Sequence, residues 1–291
     1  MKRYFQHYTL LAPFMVLFAA FFLFPIASGL YHSFFEWKGP QDQVFVGLGN
    51  YTDILGSRHF RIAMSNLFLY VAITVPVGIS TALALALLID HFSGTVANFF
   101  RAAYFLPVML PLFMAATIWR WIYTPNFGLL NTLLGWIGAG PVKFLNDPDT
   151  MLYSAIAVDV WVSAGFNMVI LLAGLKGVPR HYYEAARLDG ASKLQEILWI
   201  TIPAIKPVLL FTVTYGFISA LQVFDIPWLL TGSSFADYGG RQNRLLFPVM
   251  DMMGRAFGSI KFGEAAAYGF LLTIAIVALT SVSLYLGRDR E

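Results

Sequence analysis

Two groups of residues in this chain have types and spacings suited to chemistry. The first is Glu184-Ala185-Ala186-Arg187-Leu188-Asp189-Gly190-Ala191, a short charged segment broken by glycine. Its small Ala side chains let a partner's backbone come close, and Glu184 can pair with a basic group. The second is a pair of polar stripes in otherwise apolar runs. Asp159, Ser163 and Asn167 recur every four residues, with Phe166 beside them. Thr212, Tyr215, Ser219 and Gln222 follow at spacings of three, four and three, and Asp225 continues them toward one end. Residues three or four apart share a helix face. Hydroxyl, amide and carboxyl groups flanked by aromatic rings suit a polyhydroxy ligand, because its apolar ring face stacks on aromatics. The same stripes also suit interhelical hydrogen bonding, at roughly 0.5–2 kcal/mol per bond. Both readings stand at this level. Asp159 is the sharpest single candidate, since an ionised carboxylate at membrane depth needs a partner. No Lys or Arg lies obviously opposite it, which leaves substrate, water or a second subunit.

Covalent chemistry finds little support. The chain has no cysteine, which excludes disulfides, iron–sulfur clusters and thiol catalysis. Its five histidines are scattered, with no HExxH pair, so no metal site is expected. No G-x-x-x-x-G-K-[ST] phosphate loop occurs; the nearest approach, Gly254 to Lys261, misplaces the lysine. No Gly-x-Ser-x-Gly is present either. We expect no catalytic residue, and no ATP hydrolysis by this chain. A net charge of +3 gives no reason to expect nucleic acid.

The elements that must position these groups lie in a bilayer. Hydrophobic residues make up 58% of the 291, and only 12% are charged, about half the share of a soluble domain. The expectation is an all-α integral membrane protein, read as one transmembrane domain over 1–291. About 20 apolar residues cross the hydrocarbon core. Uncharged runs then predict six transmembrane helices, near 9–34, 67–89, 99–122, 151–175, 205–225 and 265–287. The first has no convincing cleavage site and reads as a permanent anchor. Trp121–Val142 is uncharged but punctuated by Gly, Pro and Asn. It reads as a loop carrying a short interfacial helix over Leu129–Trp136, with a seventh crossing as the alternative.

Six crossings place both termini on one side. Lys and Arg divide ten against nine between the sides, a weak vote. The Lys2-Arg3 start and the Arg288–Arg290 end favour termini inside. The loop over 176–203 then also lies inside. Gly177 and Pro179 end the fourth helix, His181–Leu188 forms a short helix, and Gly190 breaks it. Ser192 caps a following helix, and Pro203 and Pro207 bend the chain back toward the membrane. On the other side, the loop over 237–261 carries Arg241, Arg244, Asp251, Arg255 and Lys261. It is either a solvated surface or a docking face.

The segment from Glu184 resembles the "EAA" motif of inner-membrane subunits of binding-protein-dependent ABC importers. In that family EAA is followed by three residues, Gly, nine residues and I-x-L-P. Here Arg187-Leu188-Asp189 precede Gly190, and Ile200-Thr201-Ile202-Pro203 stands at the end, with Ile for Leu. Phe45 to Tyr51, Arg101 to Pro107 and Leu229 to Gly232 also resemble segments of carbohydrate-type permeases. Leu11-Ala12-Pro13 and Phe24-Pro25 are similar to the first, maltose-transporter-type permease of such systems. The resemblance implies that Glu184, Ala185, Ala186, Asp189 and Gly190 dock into a cytoplasmic ATPase. It implies a second homologous permease, an ATPase dimer holding ATP and Mg, an extracytoplasmic solute-binding protein and a carbohydrate substrate. The location implied is a bacterial or archaeal inner membrane, with no cofactor bound by this chain. Substrate contacts are expected from the helices flanking the docking loop. A non-sugar solute such as glycerol 3-phosphate is the alternative within this class, although a phosphate calls for a cavity Arg or Lys. A stand-alone secondary transporter is the alternative outside it, although such proteins carry internal repeats.

Overall fold

A computed structural model describes residues 2–39, 42–232, 234–235 and 238–287. Arg288, Arg290 and Asp237 lie outside the described residues. The chain opens with α1 (Lys2–Phe18), a π turn over Ala19–Leu23, and α2 (Phe24–His32). Pro25 has no N–H to give a helical bond, and the wider π turn just before it absorbs the mismatch. A hairpin follows, β1 (Phe35–Gly39) with β2 (Asp42–Phe45), then α3 (Gly49–Gly56). α4 (Arg58–Asp90) is the longest helix, with 33 residues. Next come α5 (Gly94–Met109), α6 (Leu112–Ile122), α7 (Leu129–Trp136) and α8 (Pro148–Lys176). The loop segment holds α9 (Arg180–Leu188), α10 (Lys193–Glu196), a π turn and α11 (Ile202–Ala204). α12 (Lys206–Leu221), α13 (Asp225–Thr231), α14 (Pro248–Met253) and α15 (Phe262–Gly287) complete the chain.

Among the described residues, four helices are long and apolar enough to cross a membrane, or up to six if each bent pair counts as one span. The bent pairs account for the main departures from the expected helices. In place of one run over 99–122, α5 and α6 meet at 99°. Pro111 drives Leu110 into an extended conformation (φ −76°, ψ 134°), which no helix can pass through. The stretch entering α12 bends by 75° at Ile205. There Pro207 cannot donate to the carbonyl of Pro203. The fifth expected run, 205–225, stops at Leu221, and a separate helix starts at Asp225. Pro227 cannot donate to Val223, so the two do not merge. The hairpin was not anticipated. Its aromatic alternation, Phe35 and Trp37 against exposed Glu36 and Lys38, is the strand period.

The chain divides into two compact units, residues 1–61 with 248–275, and 62–247 with 276–291. In the first, Ile54, Ala267 and Tyr268 form a small core with Tyr51, Phe60, Met252 and Leu271. Asn50 ties it to the hairpin by donating to the carbonyls of Ser33 and Phe35, both at 2.8 Å. Asp251 is 1% exposed and receives Arg255 Nε at 3.3 Å. Arg255 also reaches Glu264 Oε2 at 2.5 Å and Ser57 Oγ at 3.2 Å. These two residues of the 237–261 loop therefore bind the unit internally. The apolar span Leu10–His32 of the same unit buries none of its side chains. Such a surface needs lipid or another chain around it.

The second unit packs α4, α5 and α8 around Ala82, Ala86, Ala97, Met168, Leu171 and Leu175. Small residues suit this setting. Between helices in lipid there is no hydrophobic drive, so close backbone approach supplies the contact energy. Gly165 is the extreme case: a Cβ there collides with the backbone carbonyl of Tyr104 on α5.

Candidate functional site

The α8 stripe faces α12 and α4 across a small cavity of about 40 Å³. Asp159, Ser163 and Asn167 line it from α8, and Tyr215 and Ser219 from α12. Thr74 and Gly78 of α4 complete the wall. Gly78 and Gly216 leave the space, since neither projects a side chain into it. Two buried polar atoms here have no hydrogen-bond partner, Asn167 Oδ1 and Thr74 Oγ1. A buried polar atom left open costs about 1–3 kcal/mol, so such atoms usually mark a place for water or ligand. The Asp159 carboxyl is turned toward the Tyr70 hydroxyl of α4, but no hydrogen bond closes on that hydroxyl. The cavity as it stands is the size of a water site, about 30 Å³ per molecule. A ring-sized ligand enters only if α8, α12 and α4 separate, or where the mouth opens beside them.

That mouth is aromatic. Phe166 and Tyr215 are 37% and 46% exposed, with ring centroids 5.5 Å apart. Phe211 stacks on Tyr215 at 6.4 Å. The remaining candidates separate from the cluster. Thr212 is fully buried and bonds to its own helix carbonyls, Val208 and Leu209, so it serves the helix. Gln222 is exposed and lies past the last turn of α12. Asp225 is exposed at the start of α13 and does not prolong the α12 stripe, because the helix breaks between them. The α4 contribution was missed, although a signal was available. Asn66, Tyr70, Thr74 and Gly78 recur every four residues in an apolar run. Asn66 spends its amide on the carbonyls of Asn243 and Leu246, Tyr70 faces Asp159, and Thr74 and Gly78 line the cavity.

The 176–203 segment is organised by a different logic. Gly190 sits at φ +81°, in the left-handed region that L residues avoid. Ser192 caps α10 in a reciprocal box: Gln195 N donates to Ser192 Oγ, and Ser192 N donates to Gln195 Oε1. Arg187 reaches across the glycine turn and grips Glu196 with both arms, Nε to Oε1 at 2.8 Å and Nη2 to Oε2 at 3.2 Å. Glu196 is 5% exposed and also takes Lys193 at 3.5 Å. The hydrogen bond to Glu196, reinforced by its charge, raises the Arg187 pKa above its ordinary value. Tyr183 and Thr201 hydroxyls meet at 3.1 Å. α9 and α10 are thus bolted into one body. Glu184, Ala185, Asp189 and Gly190 are exposed on it, and Ala186 is half-buried. Tyr182 and Leu188 stand out beside them, 53% and 90% exposed.

Comparison with known proteins identifies this architecture. Residues 74–289 match the family described as the binding-protein-dependent transport system inner membrane component. The arabinooligosaccharides transport system permease protein of Bacillus subtilis is 31% identical, over 95% of this chain and 87% of its own. The trehalose/maltose transport system permease protein of Thermococcus litoralis is 30% identical, over 98% and 94%. In fold, the chain is similar to one in the crystal structure of a bacterial ABC transporter involved in the import of the acidic polysaccharide alginate. That match has a TM-score of 0.86 at 23% identity, covering 99% of this chain and 96% of that one. The match over 74–289 takes in the cavity helices and the bolted loop alike, and the chain belongs to the family of inner-membrane components of binding-protein-dependent transport systems.

Proposed function

We propose that this chain is a six-span permease subunit of an ATP-driven importer for a neutral sugar or oligosaccharide, working by alternating access. The observation that carries the substrate class is the cavity lining. It offers hydroxyls, an amide and one carboxyl, with open Asn167 and Thr74 oxygens and no Lys or Arg. Sugar hydroxyls supply donors to those oxygens, and the Phe166–Tyr215 mouth supplies the stacking face. A phosphate or carboxylate cargo such as glycerol 3-phosphate meets Asp159 with no countercharge, which disfavours it. The sugar named for the two relatives above agrees with this class. A second homologous permease supplies the other half of the enclosure.

In this proposal the α9–Gly190–α10 body lies on the cytoplasmic side, as do both termini. Glu184, Ala185, Ala186, Asp189 and Gly190 engage a separate ATPase dimer, which binds ATP and Mg and does the hydrolysis. A solute-binding protein delivers sugar from outside. A push on a body locked by Arg187–Glu196 passes through the π turn and α11 into α12, which carries Tyr215 and Ser219. The test is sugar-stimulated ATP hydrolysis by the reconstituted complex, screened over neutral and anionic saccharides. Stimulation by neutral sugars supports the proposal. Stimulation by anionic cargo alone overturns the substrate class.

A further inference from the structure

Behind the bolted loop lies a much larger cavity, about 1110 Å³, bordered by Glu184, Arg187 and Glu196 of that loop, whose interior has no role in the transport cycle above. It is walled by the inner face of α9, the last turn of α8 and the first turns of α5. Its charged lining is unbalanced. Arg187 and Lys193 already share Glu196. That leaves Arg101, Lys176 and Arg180 facing only Asp90 and Glu184. Lys176 and Arg180 make no ion pair among the described residues. Arg101 Nε is buried with no partner, and its Nη1 reaches only Asn98 Oδ1, at 3.4 Å. A buried guanidinium N–H without an acceptor is costly, and nothing on the surrounding helices supplies one.

A second feature points the same way. α5 starts on this cavity, with Ser93 and Gly94 in its wall. Ser93 is the N-cap, yet its side chain makes no capping bond, and the first turn has no acidic residue. The free N–H groups of a 16-residue helix and its dipole therefore face the same space. A guanidinium fork, an ammonium and helix N-terminal amides around one pocket form a receptor for a tetrahedral oxyanion.

We propose that this cavity binds a phosphate-type oxyanion, held by Arg101, Arg180, Lys176 and the start of α5. Two sources carry that chemistry, an anionic phospholipid headgroup and free phosphate. The site is separate from the sugar cavity. It lies on the face of α9 opposite Tyr182 and Ala185, and of the residues assigned to the ATPase only Glu184 borders it.

The test uses the full chain in uncharged detergent, without other subunits, so it does not depend on the docking proposal. Inorganic phosphate is titrated calorimetrically. In parallel, the chain is passed through nanodiscs of phosphatidylcholine with and without phosphatidylglycerol, and retained lipid is read by native mass spectrometry. Phosphate binding that weakens about tenfold or more in Arg101→Gln, and is partly restored in Arg101→Lys, establishes the free anion as ligand. Retention of phosphatidylglycerol by wild type and its loss in Arg101→Gln establishes the headgroup. Arg180→Gln should weaken either in the same direction, and Arg120→Gln, on α6, should not. Wild type and Arg101→Gln behaving alike in both assays overturns the proposal, including the outcome in which these cations serve an ATPase carboxylate instead.

Discussion

The cavity between α4, α8 and α12 and the 176–203 segment treat polar groups in opposite ways. In the segment each strong group that matters to shape is matched: Arg187 to Glu196, Ser192 to Gln195, Tyr183 to Thr201. In the cavity, Asn167 and Thr74 keep open oxygens, and Asp159 faces a hydroxyl without closing a bond. Matched groups make a stiff body, which moves as a unit when pushed. Open groups lower stability locally and reserve interaction energy for something that arrives later. Under the proposed function the difference separates a force-transmitting element from a receiving one, and it can be attacked from either end.

The largest effect should come from Gly190→Val. At φ +81° a β-branched residue is strained by roughly 1–2 kcal/mol, and relief of that strain re-aims α9 against α10. Sugar uptake in vesicles should fall by more than tenfold while the chain still inserts, as a membrane-fraction blot would show. Glu196→Gln comes next. It leaves Arg187 and Lys193 without their carboxylate, so uptake should drop severalfold and the thermal midpoint should fall. Uptake at wild-type level in both variants would remove the force-transmitting role.

The cavity should answer differently. Asp159→Asn keeps the shape and removes the charge, and should weaken sugar stimulation of ATP hydrolysis by about tenfold, the loss of one charge-assisted hydrogen bond. Asn167→Leu is the sharper probe of openness. Replacing an amide whose buried oxygen is unpartnered by hydrocarbon should raise the stability of the detergent-solubilised chain, by up to about 1–3 kcal/mol, while uptake falls. A loss of stability would mean that Asn167 is paired packing and that the contrast fails. The smallest effect should be that of Gln222→Ala. Gln222 is exposed beyond the end of α12, so sugar affinity should change less than about twofold, measured by the same stimulation assay.

Local chemistry made some of this legible in the sequence. Gly190 and Ser192 signal their turn and cap by residue type, and the spacing of Asp159, Ser163 and Asn167 signals one face. Other features depend on what meets in space. The Arg187–Glu196 grip joins residues nine apart across a turn, and no helical spacing announces it. The stop at Leu221 hinges on Pro227, six residues further on, which a hydropathy window averages away. The 99° bend at Leu110 was marked by Pro107 and Pro111, but uniform hydrophobicity masked it. Thr74 and Tyr70 were missed because a lone hydroxyl in α4 carries little weight until α8 is seen opposite. The hairpin hid in a short aromatic stretch between two strongly apolar runs.

The central claim is that the α9–Gly190–α10 body couples an ATPase to the cavity. The direct measurement is a mild-detergent pull-down of wild type and Gly190→Val from the native membrane, with mass spectrometry of the partners and sugar-stimulated ATP hydrolysis of the captured complex. The account predicts that wild type brings down a second permease and an ATPase whose activity rises with sugar, and that Gly190→Val keeps the permease but loses the ATPase or its stimulation. Wild type recovered with no ATPase, or both forms hydrolysing ATP with the same response to sugar, would contradict it.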